Sequence, residues 1–113
     1  MTRAELLRFM RGHPLAAQAS VSASGAPQAA VVGIVVTDAF ELFFDTLDTS
    51  RKARNLRRNP RIAVVIGGTA QGAESTVQYE GIADEPGGAE LERLQALYFV
   101  QFPEGRERQR RRG

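Results

Sequence analysis

Two runs of small and β-branched residues, Leu15 to Ser22 and Gln28 to Thr37, flank the turn-forming segment Ser24-Gly25-Ala26-Pro27. Branching at Cβ suits a pleated surface and is penalised in a helix, so the pair predicts a β-hairpin. After the break at Asp38-Ala39, Phe40 to Thr46 sets Phe40, Leu42 and Phe44 in alternation with Glu41, Phe43 and Asp45, the period of a third antiparallel strand. Asn59-Pro60 precedes a compact apolar strand from Arg61 to Gly67. A fifth strand is expected from Ser75 to Glu85, with Gly81 as a bulge or a point of close approach. Five antiparallel strands in 113 residues fit a small, mainly β barrel, because closing the sheet removes the edges that an open meander exposes.

Short helices complete the pattern. Thr2-Arg3-Ala4-Glu5 has capping-box spacing, and the helix it opens carries Leu6, Leu7, Phe9 and Met10 before Gly12 and His13-Pro14 end it. A second helix is expected from Arg51 to Arg58, between the third and fourth strands. A third runs from about Ala89 to Val100, where Leu91, Leu94 and Tyr98 recur at helical spacing before Phe102-Pro103. Residues 1–103 thus form one domain. Residues 104–113 hold no apolar side chain and are expected to be a mobile basic tail.

Composition narrows the chemistry. There is no cysteine and one histidine, which excludes disulfides, thiolate metal sites, iron–sulfur clusters and a cysteine nucleophile, and no metal site is expected. His13, beside a proline and without a neighbouring carboxylate, reads as a loop residue. Tyr79 and Tyr98 read as packing residues, and Glu80 as facing solvent or pairing with an arginine. No catalytic triad, Walker sequence or dinucleotide fingerprint occurs, so no catalytic residue is assigned. No apolar run approaches a bilayer span and the start lacks a secretory pattern, so a cytoplasmic protein is expected.

Charge is unevenly placed. No acidic residue lies between Asp48 and Glu74, whereas Arg51, Lys52, Arg54, Arg57, Arg58 and Arg61 all fall in that interval. Ser50 stands where it can cap the second helix, whose free amides and dipole favour an anion, and Arg51 and Lys52 add donors. Lys52 is the only lysine among fifteen basic residues. The stretch suits a phosphate; an ordinary serine cap on a solvated arginine-rich helix would leave the same residues.

The runs Phe40-Glu41-Leu42-Phe43-Phe44-Asp45-Thr46, Thr49-Ser50-Arg51-Lys52-Ala53-Arg54-Asn55-Leu56 through Gly67, and Val77-Gln78-Tyr79-Glu80-Gly81-Ile82-Ala83 together resemble the pyridoxamine 5′-phosphate oxidase-like family. The resemblance implies an FMN-binding split β-barrel and a homodimer with FMN at the subunit interface. It implies that Thr46, Ser50, Arg51 and Lys52 hold the phosphate, and that Ala30, Val31 and Val32, with Gln28, lie beside the flavin. It further implies a flavin-dependent oxidoreductase that passes a hydride or electrons to a small molecule. Two departures matter. The strand Gln28-Ala29-Ala30-Val31-Val32 lacks the arginine and lysine of true pyridoxamine phosphate oxidases, and the sequence becomes arginine-rich where relatives continue with a further strand, so a barrel wall is expected to be absent or left to the partner. The deazaflavin F420 is the alternative cofactor. A non-catalytic flavin- or haem-binding protein, or a small basic nucleic-acid binder, is the alternative class; against the last, the basic stretches lack interleaved aromatics.

Overall fold

The computed structural model describes residues 1–44 and 50–103. Its elements are α1 (Arg3–Arg11), β1 (Leu15–Val21), β2 (Pro27–Val36), β3 (Leu42–Phe44), α2 (Arg51–Arg58), β4 (Arg61–Gly67), β5 (Thr76–Ile82) and α3 (Gly88–Gln101). Thr46 and the tail at 104–113 lie outside the described residues.

All five strands join one antiparallel sheet in the order β3-β2-β1-β4-β5. The sheet curls into a half-barrel, with β3 and β5 as its edges. β1 holds the centre. Its alternation of Ala16, Gln18 and Ser20 with Ala17 and Ala19 sends the first set to the concave face. There Met10 of α1 packs with Ala16, Val32, Ile34, Val36, Val64 and Ile66, and Leu6, Leu7, Phe9, Leu42, Phe44, Ile62 and Tyr79 fill in around them. Each such large side chain contributes about 1.5 to 3 kcal/mol by leaving water.

The ends of α1 are held by specific bonds. Thr2 Oγ1 accepts the Glu5 amide at 3.1 Å and donates to the Glu5 carboxylate at 3.0 Å. At the other end Arg11 donates through Nε and Nη2 to the Val36 carbonyl, at 3.0 and 2.9 Å, and pairs with Asp38.

α3 crosses the convex face at the β2–β3 corner. Tyr98 meets the edge of Phe43, with ring centroids 5.8 Å apart, and the Phe102 ring lies over Gly33. Pro14 opposes Ile34 one rung beyond the Leu15–Gly33 pair. It accepts the Ile34 amide at 2.8 Å but has no N–H to return, so the Ile34 carbonyl accepts from Gln101 Nε2 at 3.0 Å instead.

Two local expectations are corrected. The third strand begins at Leu42 rather than Phe40, because Thr37 to Glu41 forms a tight turn in which Phe40 adopts φ 62°. That strained residue is held by a Tyr79 hydroxyl bond to its carbonyl at 3.0 Å and by the Arg3 guanidinium 4.5 Å from its ring centroid. Gly81 forms no bulge; it pairs in continuous register with Ile62, and a Cβ there would make only ordinary contact with Tyr79.

Candidate anion and cofactor site

α2 begins at Ser50, whose hydroxyl accepts the Ala53 amide at 3.2 Å while its carbonyl accepts the Arg54 amide at 3.1 Å. The amides of Arg51 and Lys52 are left without an intrahelical acceptor, at the positive end of the helix dipole. The Arg51 side chain is exposed and that of Lys52 half-buried. Amides without an intrahelical acceptor, beside two cations, would make an anion cradle.

The inward side of α2 carries Ala53 and Asn55, both buried. Asn55 Nδ2 donates to Gln28 Oε1 at 2.6 Å and to Ser20 Oγ at 3.4 Å. Gln28 therefore joins β2 to the helix that bears Ser50, Arg51 and Lys52, with its side-chain oxygen turned to Asn55.

The remaining β2 candidates separate by face. Ala30 shares the concave side with Gln28 and is half-buried, while Val32 is buried in the core, so only its backbone could meet a ligand. Val31 points to the convex face and is 69% exposed. β3 pairs only with Ile34, Val35 and Val36, so β2 from Gln28 to Gly33 has no strand neighbour on that side among the described residues. The Ile34 amide points toward β1, and by alternation Ala29, Val31 and Gly33 turn their backbone groups to this open edge. FMN asks for a phosphate cradle and a polar edge for its ring system. The first turn of α2 and the open edge of β2 supply both, and these residues fit that cofactor.

Asn55, Ser20 and Gln18 form a buried polar strip that no motif pointed to. The available signal was the polar alternation of Gln18 and Ser20 with alanines inside an otherwise apolar strand. Gln18 is 1% exposed and its Oε1 has no hydrogen-bond donor among the described residues.

A hollow of about 800 Å³ occupies the concavity, between α2, β3 to β5 and the start of α3. Leu42, Phe44, Leu56, Ile62 and Val64 line it, together with Glu41, Asp84, Glu85 and Glu90. Arg51 and Lys52 do not, so it is distinct from the anion cradle. Arg57 makes a forked pair with Glu85 and holds that carboxyl below its usual range, as Arg93 does for Glu90. His13 shares a hydrogen bond between Nδ1 and the Phe9 carbonyl at 2.8 Å and stacks near the Phe9 ring, as a loop residue would. Among the described residues no group of acids and histidines could hold a metal ion, and no helix is long and apolar enough to cross a membrane.

The family model described as pyridoxamine 5′-phosphate oxidase matches residues 2–112. No curated protein matches the sequence. Among solved structures, the chain is similar to a haem-binding protein from Mycobacterium smegmatis, with 22% identity and a TM-score of 0.75 over 88% of this chain and 43% of that one. It is also similar to a conserved hypothetical protein from Mycobacterium tuberculosis, with 28% identity and a TM-score of 0.75 over 88% of this chain and 62% of that one. The haem storage protein HutZ from Vibrio cholerae gives 20% identity and a TM-score of 0.76 over 89% of this chain and 75% of that one. The chain thus spans less than two thirds of the length of the two mycobacterial proteins.

Proposed function

Because the chain belongs to the pyridoxamine 5′-phosphate oxidase family, we propose that it works as a homodimeric, FMN-dependent oxidoreductase acting on a small molecule. The observation that carries this reading is the first turn of α2, where the amides of Arg51 and Lys52 have no intrahelical acceptor behind the Ser50 cap and two cationic side chains stand at the same turn. A phosphomonoester there gains charge-assisted hydrogen bonds and the helix dipole. FMN, when bound, supplies the hydride or electron chemistry. The chain's part is to grip the phosphate, to offer the β2 edge at Ala29 and Val31 to the polar rim of the ring, and to keep that rim oriented.

The second copy is called for by the convex face. Leu15, Val31 and Val65 are 62%, 69% and 42% exposed there, with Ala17, Ala19, Ala29 and Ala63 between them. An apolar sheet face of this kind, left bare by α3, suits a twofold interface. It also places Val31 where a partner would cover it.

A haem-binding reading is favoured by one observation besides the named neighbours. His13 has Nδ1 engaged by the Phe9 carbonyl, which leaves Nε2 as a ligand atom.

The test is the absorption spectrum of the purified protein, followed by titration with FMN, riboflavin, F420 and haemin. A yellow protein that binds FMN more tightly than riboflavin supports the proposal. A Soret band abolished by His13→Ala replaces it with the haem reading, and preference for F420 replaces the cofactor.

A further inference from the structure

We propose that Asn55 is a positioning residue, which sets the rotation of α2 and thereby aims the amides of Arg51 and Lys52. The inference rests on the phosphate-binding role proposed for that turn. It starts from the register of the sheet: Ser20 of β1 and Gln28 of β2 are direct cross-strand partners. Both side chains rise from the concave face at the same rung, and the Asn55 Nδ2 group reaches both, at 3.4 and 2.6 Å. A primary amide has two N–H bonds fixed in one plane, so a single side chain on α2 is tied to two neighbouring strands at once.

The rest of α2 offers little that could do this. The helix has eight residues, too few to be stable alone, Arg51, Arg54 and Arg58 are exposed, and the forked pair of Arg57 with Glu85 lies in solvent and reaches the segment after β5 rather than the strands under the helix. Ala53 and Leu56 give apolar contact, which holds a helix on a sheet but leaves it free to roll, because dispersion and the hydrophobic effect are not directional. The Asn55 tie is directional and 4% exposed, in a setting where the polar groups lose more by being left unpaired. One turn lies between Asn55 and the anion cradle, so a roll about the helix axis at Asn55 appears as a displacement of the amides of Arg51 and Lys52. Recognition geometry of this kind tolerates about 0.5 Å. Gln28 acquires a definite role in this arrangement: it is the acceptor that orients Asn55.

The experiment compares Asn55→Leu with the unaltered chain, using FMN and riboflavin as probes and the melting temperature as control. The two ligands share the ring and differ in the phosphate. The expected result is a loss of FMN affinity of about tenfold or more, with riboflavin affinity changed by less than about threefold, so that the preference for FMN collapses. Gln28→Leu removes the same tie from its half-exposed end, reads the same ratio, and keeps the test open if Asn55→Leu does not fold. A lowered melting temperature with the FMN-to-riboflavin ratio preserved would overturn the positioning role and leave Asn55 as a stability residue. Absence of any FMN preference in the unaltered chain would instead overturn the phosphate site itself, and the inference with it.

Discussion

Val31 and Val65 flank the same residue: Ala17 is the register partner of Val31 across the β1–β2 ladder and of Val65 across the β1–β4 ladder. Two branched side chains with an alanine groove between them make a self-complementary surface on the bare face of the sheet. If a second copy covers it, Val31→Glu places a carboxylate in the interface twice, once per subunit. At roughly 2 kcal/mol for each buried unpaired group, the dimer dissociation constant should rise on the order of a thousandfold. Light scattering at micromolar concentration should then change from a two-chain mass to a one-chain mass, while the melting profile of the monomer stays cooperative. An unaltered chain that scatters as a monomer refutes the interface.

Position, rather than total charge, should govern FMN binding. Arg51→Ala with Lys52→Ala removes donors at the first turn of α2, whereas Arg54→Ala with Arg58→Ala removes the same formal charge from exposed positions on the same helix. Two charge-assisted bonds at about 1.5 to 3 kcal/mol each predict a loss of at least about a hundredfold for the first pair. Salt-screened attraction predicts less than about tenfold for the second. Equal losses in a flavin-fluorescence titration would mean a diffuse anion patch.

Gly33 and Phe102 should behave as one unit. A Cβ on Gly33 would stand 2.8 Å from Phe102 Cζ, so Gly33→Ala forces the ring away from β2. Overpacking of this kind costs about 1 to 3 kcal/mol. In a double-mutant cycle, Phe102→Ala should relieve most of that cost, giving a coupling energy of about 1 kcal/mol or more from urea unfolding. Additive effects would show that the ring moves aside freely.

Gln18→Met should stabilise the fold. The substitution keeps the volume of a side chain that is 1% exposed and removes an acceptor with no donor among the described residues. A gain of about 1 kcal/mol in thermal or urea unfolding is expected, since an unsatisfied buried group costs about 1 to 3 kcal/mol. A loss of stability would place an ordered water at Oε1.

Acid should act in part through Glu85 and Glu90. Hydrogen bonds from Arg57 and Arg93, respectively, lower their pKa values below the ordinary 4.5. A carboxyl with a depressed folded-state pKa adds stability that is present above its unfolded pKa and lost as pH falls through the folded one. Both pairs are exposed, so the contribution is small and salt-sensitive. The fall in melting temperature from neutral pH to about pH 3 should be shallower in the Glu85→Gln, Glu90→Gln double variant than in the parent, at low salt. An identical slope would remove these pairs from the acid response.

The bounds of α2 and β4 were readable from the sequence because local chemistry fixes them: Ser50 caps, Asn59-Pro60 stops, and Arg61 to Gly67 has a strand's composition. Phe40 was misread because its alternation with Leu42 and Phe44 carries no sign of the turn that Thr37 closes onto Glu41. Gly81 was misread because a glycine in a strand has the same appearance whether the ladder bulges or runs straight. Ser50, Arg51 and Lys52 were legible as the cap and first turn of α2 for the reason that its ends were. Asn55 was not, because its meaning lies in the pairing of Ser20 with Gln28, two strands that meet it only in the folded chain.

The central place of β1 has a kinetic consequence. Its pairing with β2 needs only a short hairpin, but its pairing with β4 must enclose all of β2, β3 and α2 in one loop, a contact that forms late because chain entropy is lost before it is repaid. The Asn55 tie lies inside that loop, and the hydrogen bonds that aim α2 need β1 and β2 already in register. A ligand at the first turn of α2 therefore has nothing to hold until α2 has docked on the paired β1 and β2. It should leave the rate of folding unchanged and slow unfolding alone, so that occupancy protects the finished molecule without guiding its assembly.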